Sequence, residues 1–125
     1  MNLLLDTHAF IWWIDAGRPL ASEAQEAIAD PGAIVAVSAA SAWEIAIKRA
    51  TGKLDAPAGL ADEITVHGFV PLPITVQHTE AAGDLPLHHR DPFDRLIIAQ
   101  ARAEGLRVVT RDPAFTAYDV RTLTC

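Results

Sequence analysis

A single cysteine, Cys125 at the last position, excludes a disulfide framework and any cysteine-based metal site, and a reducing cytoplasm is the setting that fits. Half of the residues are apolar, yet no uninterrupted apolar run approaches the roughly 20 residues that span a bilayer, so no membrane association is expected. The opening Met-Asn-Leu-Leu-Leu-Asp lacks a basic stretch and meets an acid at once, so it does not read as a signal peptide. Basic residues are scarce: 10 Lys and Arg face 16 acids, a formal net charge of -6. That balance excludes a protein that coats nucleic acid by bulk charge, because nonspecific phosphate binding needs a basic surface, but it leaves local contacts open. Linkers, internal repeats and low-complexity tracts are also missing. The chain therefore reads as one domain over residues 1–125, a size that buries roughly two-thirds of the surface of its unfolded form.

What is present alternates. Leu3 to Leu5 is a short apolar run suited to a strand covered on both faces, and Thr7 to Ile14 reads as a helix. Ser22 to Gln25 has the form of a capping box for a helix through Ala29, closed by Pro31-Gly32. Ile34 to Val37 is a second strand, and Ser38 caps a helix over Ala39 to Ala50 stopped by Gly52. A helix from Leu60 to His67 ends at Gly68. Phe69 to Leu72 is a strand that Pro71 and Pro73 keep short or at an edge. Thr75 to Ala82 reads as a helix stopped by Gly83. Asp91-Pro92 is a cap with a first-turn proline for a helix running to Glu104 and Gly105. Arg107 to Thr110 and Val120 to Leu123 close the series as strands, with a turn at Pro113 to Phe115 between them. This alternation is the pattern of a three-layer α/β/α domain around a mainly parallel sheet of about five strands.

In such a sheet a ligand lies beyond the carboxyl ends of the strands. Asp6 directly follows the first strand, and Asp112 lies just past the fourth. Glu44 is embedded in the apolar Ala42-Trp-Glu-Ile-Ala, and Asp94 heads the stripe of Ile98 and Ala101 that should face the core. Each has a structural explanation: Asp6 as a cap, Glu44 as the i, i+4 partner of Lys48, Asp94 as first-turn charge, Asp112 as an Asx turn. Singly those suffice. They do not explain four acids at the same end of the sheet, where carboxylates repel unless a cation is present. A hard divalent ion with oxygen ligands resolves the conflict, and metal-assisted phosphodiester hydrolysis is the chemistry that follows.

The segments Leu-Leu-Asp6-Thr7-His8, Ala-Trp-Glu44-Ile, Asp91-Pro-Phe-Asp94-Arg95-Leu-Ile-Ile-Ala-Gln and Val-Val-Thr110-Arg-Asp112 resemble the PIN-domain ribonucleases, specifically the toxins of VapBC-type toxin-antitoxin pairs. The resemblance covers the whole chain. It implies an Mg²⁺- or Mn²⁺-dependent endoribonuclease with Asp6, Glu44, Asp94 and Asp112 as the catalytic and metal-binding set. It further implies a homodimer held by an antitoxin, with RNA as substrate. Asp91 is a further acid of that branch or merely a helix cap, and Thr110 matches a hydroxyl position beside the last acid.

Arg95 and Arg111 flank two acids; they either contact RNA phosphate, neutralise the acids or lie in solvent. His88-His89-Arg90 reads as a solvated loop at the lip of the site. His8 reads as a hydrogen-bonded structural imidazole. Trp12 and Trp13 point in different directions on a short helix and should not enter one core together; one is free for an antitoxin or dimer contact. Two other functions stay open: a non-catalytic RNA- or protein-binding module, and an aspartate phosphotransfer domain, for which the chain lacks a second acid beside Asp6 and a lysine after a late strand.

Overall fold

The computed structural model describes residues 1–15 and 20–125. Its elements follow the order β1 (Asn2–Leu5), α1 (Thr7–Ile14), α2 (Ser22–Ala29), β2 (Ile34–Ser38), α3 (Ala39–Ala50), α4 (Leu60–Val66), β3 (Val70–Leu72), α5 (Val76–Asp84), α6 (Pro92–Glu104), β4 (Arg107–Thr110) and β5 (Thr122–Thr124), with a 3₁₀ turn over Pro113–Ala117 before β5. The strands lie in the order β3-β2-β1-β4-β5, and every pairing is parallel. β1 is central, with Leu5 opposite Val37 on one side and Val109 on the other. β3, the strand that carries Pro71, is at an edge, where a missing N–H costs least.

Alternation along the strands builds two apolar layers. Leu3, Leu5, Val35, Val37 and Val109 pack with Phe10, Ala24, Ile28, Ile45 and Ile64, whereas Leu4, Ala36 and Val108 pack with Ala82, Ile97, Ile98, Ala101 and Phe115. Helices thus cover both faces of the sheet, the three-layer α/β/α arrangement that the sequence pattern implies. Among the described residues, no helix is long and apolar enough to cross a membrane.

Several boundaries differ from expectation. Ser22 is the first helical residue rather than the cap, and Ala21 caps α2 without a side-chain bond, so the capping box does not form. The Ala21 N–H bonds the Cys125 carbonyl at 3.3 Å, which turns the chain into the helix one residue early. Thr75 is a cap rather than a helical residue: its hydroxyl accepts from the His78 N–H, and His78 Nδ1 accepts from the Thr75 N–H, both at 3.1 Å. Gly83 does not stop α5, which runs on to Asp84. Its end needs no left-handed glycine because the Arg95 guanidinium takes the carbonyls of Ala82, Gly83 and Leu85. β5 begins at Thr122, not Val120, since the Val120 N–H is held in a turn by the Tyr118 carbonyl at 2.9 Å. Gly105 behaves as expected, closing α6 at a φ of 67°.

Candidate active site

Strand order reverses at β1: the chain moves outward through β2 and β3, then crosses back to β4 on the other side. The ends of β1 and β4 therefore flank the switch point. Asp6, 4% exposed, caps α1 there, its Oδ1 accepting from the Ala9 N–H at 2.7 Å. From β4 the Thr110 hydroxyl donates to the Asp6 carboxylate, and its Oγ1 accepts the Asp112 N–H at 3.0 Å. Asp112 caps the 3₁₀ turn through Ala114 at 2.9 Å, so both acids have fixed backbones. Thr110 thus couples the two strand ends.

The other acids arrive on helices. Glu44 is 5% exposed on α3. Its Oε2 takes the Lys48 ammonium at 3.0 Å, the expected i, i+4 pair, but its Oε1 is buried with no hydrogen-bond partner. Asp91 caps α6, accepting from the N–H groups of Phe93 at 2.9 Å and Asp94 at 3.4 Å. Asp94 follows in the first turn of that helix. Its carboxyl is pushed up to about 7, chiefly by burial and then by Asp91, with further contributions from Glu44 and Asp6 and an opposing one from His89. Burial also raises Asp6, against the hydrogen bonds from Thr110 and Ala9 and the charge of His8, while Asp112 adds to the rise. The fold therefore gathers Asp6, Glu44, Asp91, Asp94 and Asp112 into one electrostatic neighbourhood.

A stability consequence follows from the sign of the Asp94 shift. Its folded-state value lies above the ordinary 3.8, so the carboxyl favours folding fully below about 4 and loses that contribution as pH climbs through about 7. Asp94→Asn, which does not ionise, is expected to raise the melting temperature of chelator-treated protein above neutrality by a few degrees. It should also flatten the slope of melting temperature between those two pH values, which differential scanning fluorimetry across pH would show.

His89 is the site residue that sequence reasoning placed in solvent. Its Nε2 lies 2.9 Å from Asp94 Oδ2 and 3.2 Å from Asp112 Oδ2, on a ring that is largely covered. A loop residue has no periodic face, so nothing in the sequence aims this ring inward. Its loop is fastened from outside: the Tyr118 hydroxyl accepts from the His89 N–H at 2.8 Å and donates to the Pro86 carbonyl at 2.7 Å.

Other residues go elsewhere. Arg95 is buried with its guanidinium spread over five backbone carbonyls, of Ala82, Gly83, Leu85, Pro86 and His89, so it neither pairs with an acid nor faces a substrate. Arg111 bonds the Cys125 carbonyl through Nε at 3.1 Å and Nη2 at 2.6 Å, and lies 4.1 Å above the Trp12 ring. His8 is exposed, its ring tilted by 31° against that of Trp12 with centroids 5.6 Å apart, and it makes no side-chain hydrogen bond among the described residues, unlike the hydrogen-bonded imidazole expected. Trp12 and Trp13 both pack, partly buried, against the same apolar layer, because each rests at its rim and neither enters its centre.

The family model described as "PIN domain" matches residues 3–121. The chain belongs to the PIN-domain family. A relative, Ribonuclease VapC22 of Mycobacterium tuberculosis, is 36% identical over 118 residues, covering 89% of this chain and 87% of its own. Among solved structures, VapBC2 from Rickettsia felis bound to a promoter DNA fragment superposes with a TM-score of 0.73 at 16% identity, covering 99% of this chain and 98% of the other. DNA-bound VapBC from Salmonella typhimurium gives 0.67 at 18%, with the same coverage. FitAcB from Neisseria gonorrhoeae gives 0.60 at 21%, covering 97% and 96%. These structural likenesses establish the PIN fold of the chain.

The residues present fit a divalent cation. Ligand atoms of His89, Asp94 and Asp112 lie within 4.8 Å of one another, and the buried Glu44 Oε1 is an oxygen acceptor in need of a partner. Carboxylate oxygens predominate in the set, which is the donor chemistry of Mg²⁺ and Mn²⁺.

Proposed function

We propose that this chain is a Mg²⁺- or Mn²⁺-dependent endoribonuclease and the toxin of a VapBC-type toxin-antitoxin pair. The observation that carries the reading is the convergence of acids from four separate segments at the switch point, with Glu44 Oε1 buried and unpaired among them. Crowded carboxylates are stable as anions only around a cation, and Asp6, Glu44, Asp94 and Asp112 are the groups that would hold it, with Asp91 as a neighbouring charge and helix cap. A divalent ion bound there supplies a lowered pKa for a hydrolytic water and balances charge on the scissile phosphate. The chain supplies orientation. Asp6 and Asp112 are held by their own cap bonds and by Thr110, so neither reorganises when substrate arrives. His89, bridging Asp94 and Asp112, keeps those two carboxylates in register.

The biological role extends from the relatives, which are named a ribonuclease and toxin-antitoxin complexes. On this reading residues 1–125 act as a single cytoplasmic domain. The chain forms a homodimer, binds a cognate antitoxin and cuts RNA.

The deciding experiment incubates the purified chain with single-stranded RNA. Cleavage should appear with Mg²⁺ or Mn²⁺, stop on chelation and return when the ion is restored, and Mn²⁺ should raise the melting temperature. Intact RNA with both ions, together with no thermal shift, would leave a non-catalytic binding module in its place.

A further inference from the structure

Trp43 stands on α3 immediately before Glu44, with 61% of its surface exposed. Its indole meets the Phe93 ring edge to face, with centroids 5.3 Å apart and planes at 69°. Phe93 in turn immediately precedes Asp94, so two aromatic side chains, each adjacent in sequence to an acid of the site, meet across the α3 and α6 helices. The fold does not need the indole: Trp43 belongs to neither apolar layer, although Ile45 two residues on is fully buried.

On the Phe93 side of this pair lies a shallow, open depression of about 450 Å³. Glu44 and Asp91, two of the five acids gathered at the site, line it, and Ile47, Pro92 and Phe93 give it an apolar wall. Lys48 and Arg90 line it too. Arg90 is exposed and makes no hydrogen bond or ion pair among the described residues, in a chain with few cations to spare. Aromatic faces with an uncommitted cation, each aromatic next in sequence to an acid of the site, match the chemistry of a nucleotide in a single strand. A base stacks on any π face, and the phosphate beside it takes the guanidinium.

We infer that Trp43 and Phe93 form a stacking platform for one base of single-stranded RNA next to the scissile phosphate, with Arg90 holding an adjoining phosphate. The inference rests on the ribonuclease reading and adds to it a position for the substrate strand. Because base-aromatic stacking tolerates any base, this platform contributes affinity and direction rather than a strict sequence.

The test uses a short oligoribonucleotide and its abasic counterpart, with Kd measured in an Asp6→Asn background so that the strand stays whole. Trp43→Ala should weaken binding of the normal strand about tenfold or more, and Trp43→Phe, which keeps a ring, should recover most of it. The abasic strand should bind equally well with the indole present and with Trp43→Ala, which loss of a merely structural residue would not produce. Equal Kd values for the normal strand with and without the indole would overturn the platform. So would a Trp43→Ala chain whose oligomeric mass falls while the difference between normal and abasic strands persists, which would assign the indole to contact between copies. The ribonuclease reading fails separately, if the unmodified chain cuts no RNA with either ion.

Discussion

Replacing Asp6 by asparagine is expected to reduce RNA cleavage by at least ~10²-fold, and to abolish the thermal stabilisation by Mn²⁺, while the fold persists. The two effects separate because the two jobs of Asp6 separate. As a cap it needs only an oxygen for the Ala9 N–H, and asparagine caps as well as aspartate does. The Thr110 hydroxyl can accept from the new amide as readily as it donates to the carboxylate. What asparagine removes is the charge, and the charge is what burial resists. The substituted chain should therefore melt no lower than the parent in chelator, and lose the metal-induced rise. Parallel melting curves with and without Mn²⁺, beside a cleavage assay, check both halves. A variant that still cuts RNA at the parental rate would remove Asp6 from the chemistry.

Arg95→Ala should be among the most destabilising single substitutions in the chain, costing roughly 3–5 kcal/mol and lowering the melting temperature by about 10 °C or more. The reason is the fork of donors that one guanidinium supplies. It reaches the carbonyls of Ala82 at 2.7 Å, Leu85 at 2.9 Å, Pro86 at 3.0 Å, His89 at 3.2 Å and Gly83 at 3.4 Å. Truncation leaves these acceptors without partners, several of them away from water, and frees both the end of α5 and the loop that brings His89 to Asp94 and Asp112. Arg95→Lys keeps the charge but offers a single nitrogen, and should recover only part of the stability. A residue that served RNA through its charge would behave otherwise, with Lys restoring binding and stability unaffected throughout. Denaturant melts of the three chains, read with the cleavage assay, distinguish the two.

Most of the fold was legible because its determinants are local or periodic. Apolar runs bounded by turn residues marked the strands, and Asp91-Pro92 with Gly105 marked both ends of α6. The sheet is more uniform than expected, parallel throughout: three of its four crossovers carry α-helices, and the last, from β4 to β5, returns through the 3₁₀ turn over Pro113–Ala117. The boundaries that slipped were those settled by distant partners. The start of α2 depends on the Cys125 carbonyl, and the end of α5 on an arginine from the next helix. No local pattern encodes either.

The acids divide in the same way. Sequence alone determined which carboxylates stand at strand ends and helix starts, since that follows from strand length, the cap at Asp91 and the apolar context of Glu44. Its excess of acids, a formal net charge of -6, also argued against coating of nucleic acid by bulk charge and left local contacts open. Only the tertiary structure decided which neighbours each charge has: that Thr110 ties Asp6 to Asp112, that His89 lies between Asp94 and Asp112, and that Arg95 is spent on backbone carbonyls. The physical reason is that the strength of a charge depends on burial and on what lies within a few ångströms, and those distances are set where segments far apart in sequence pack together.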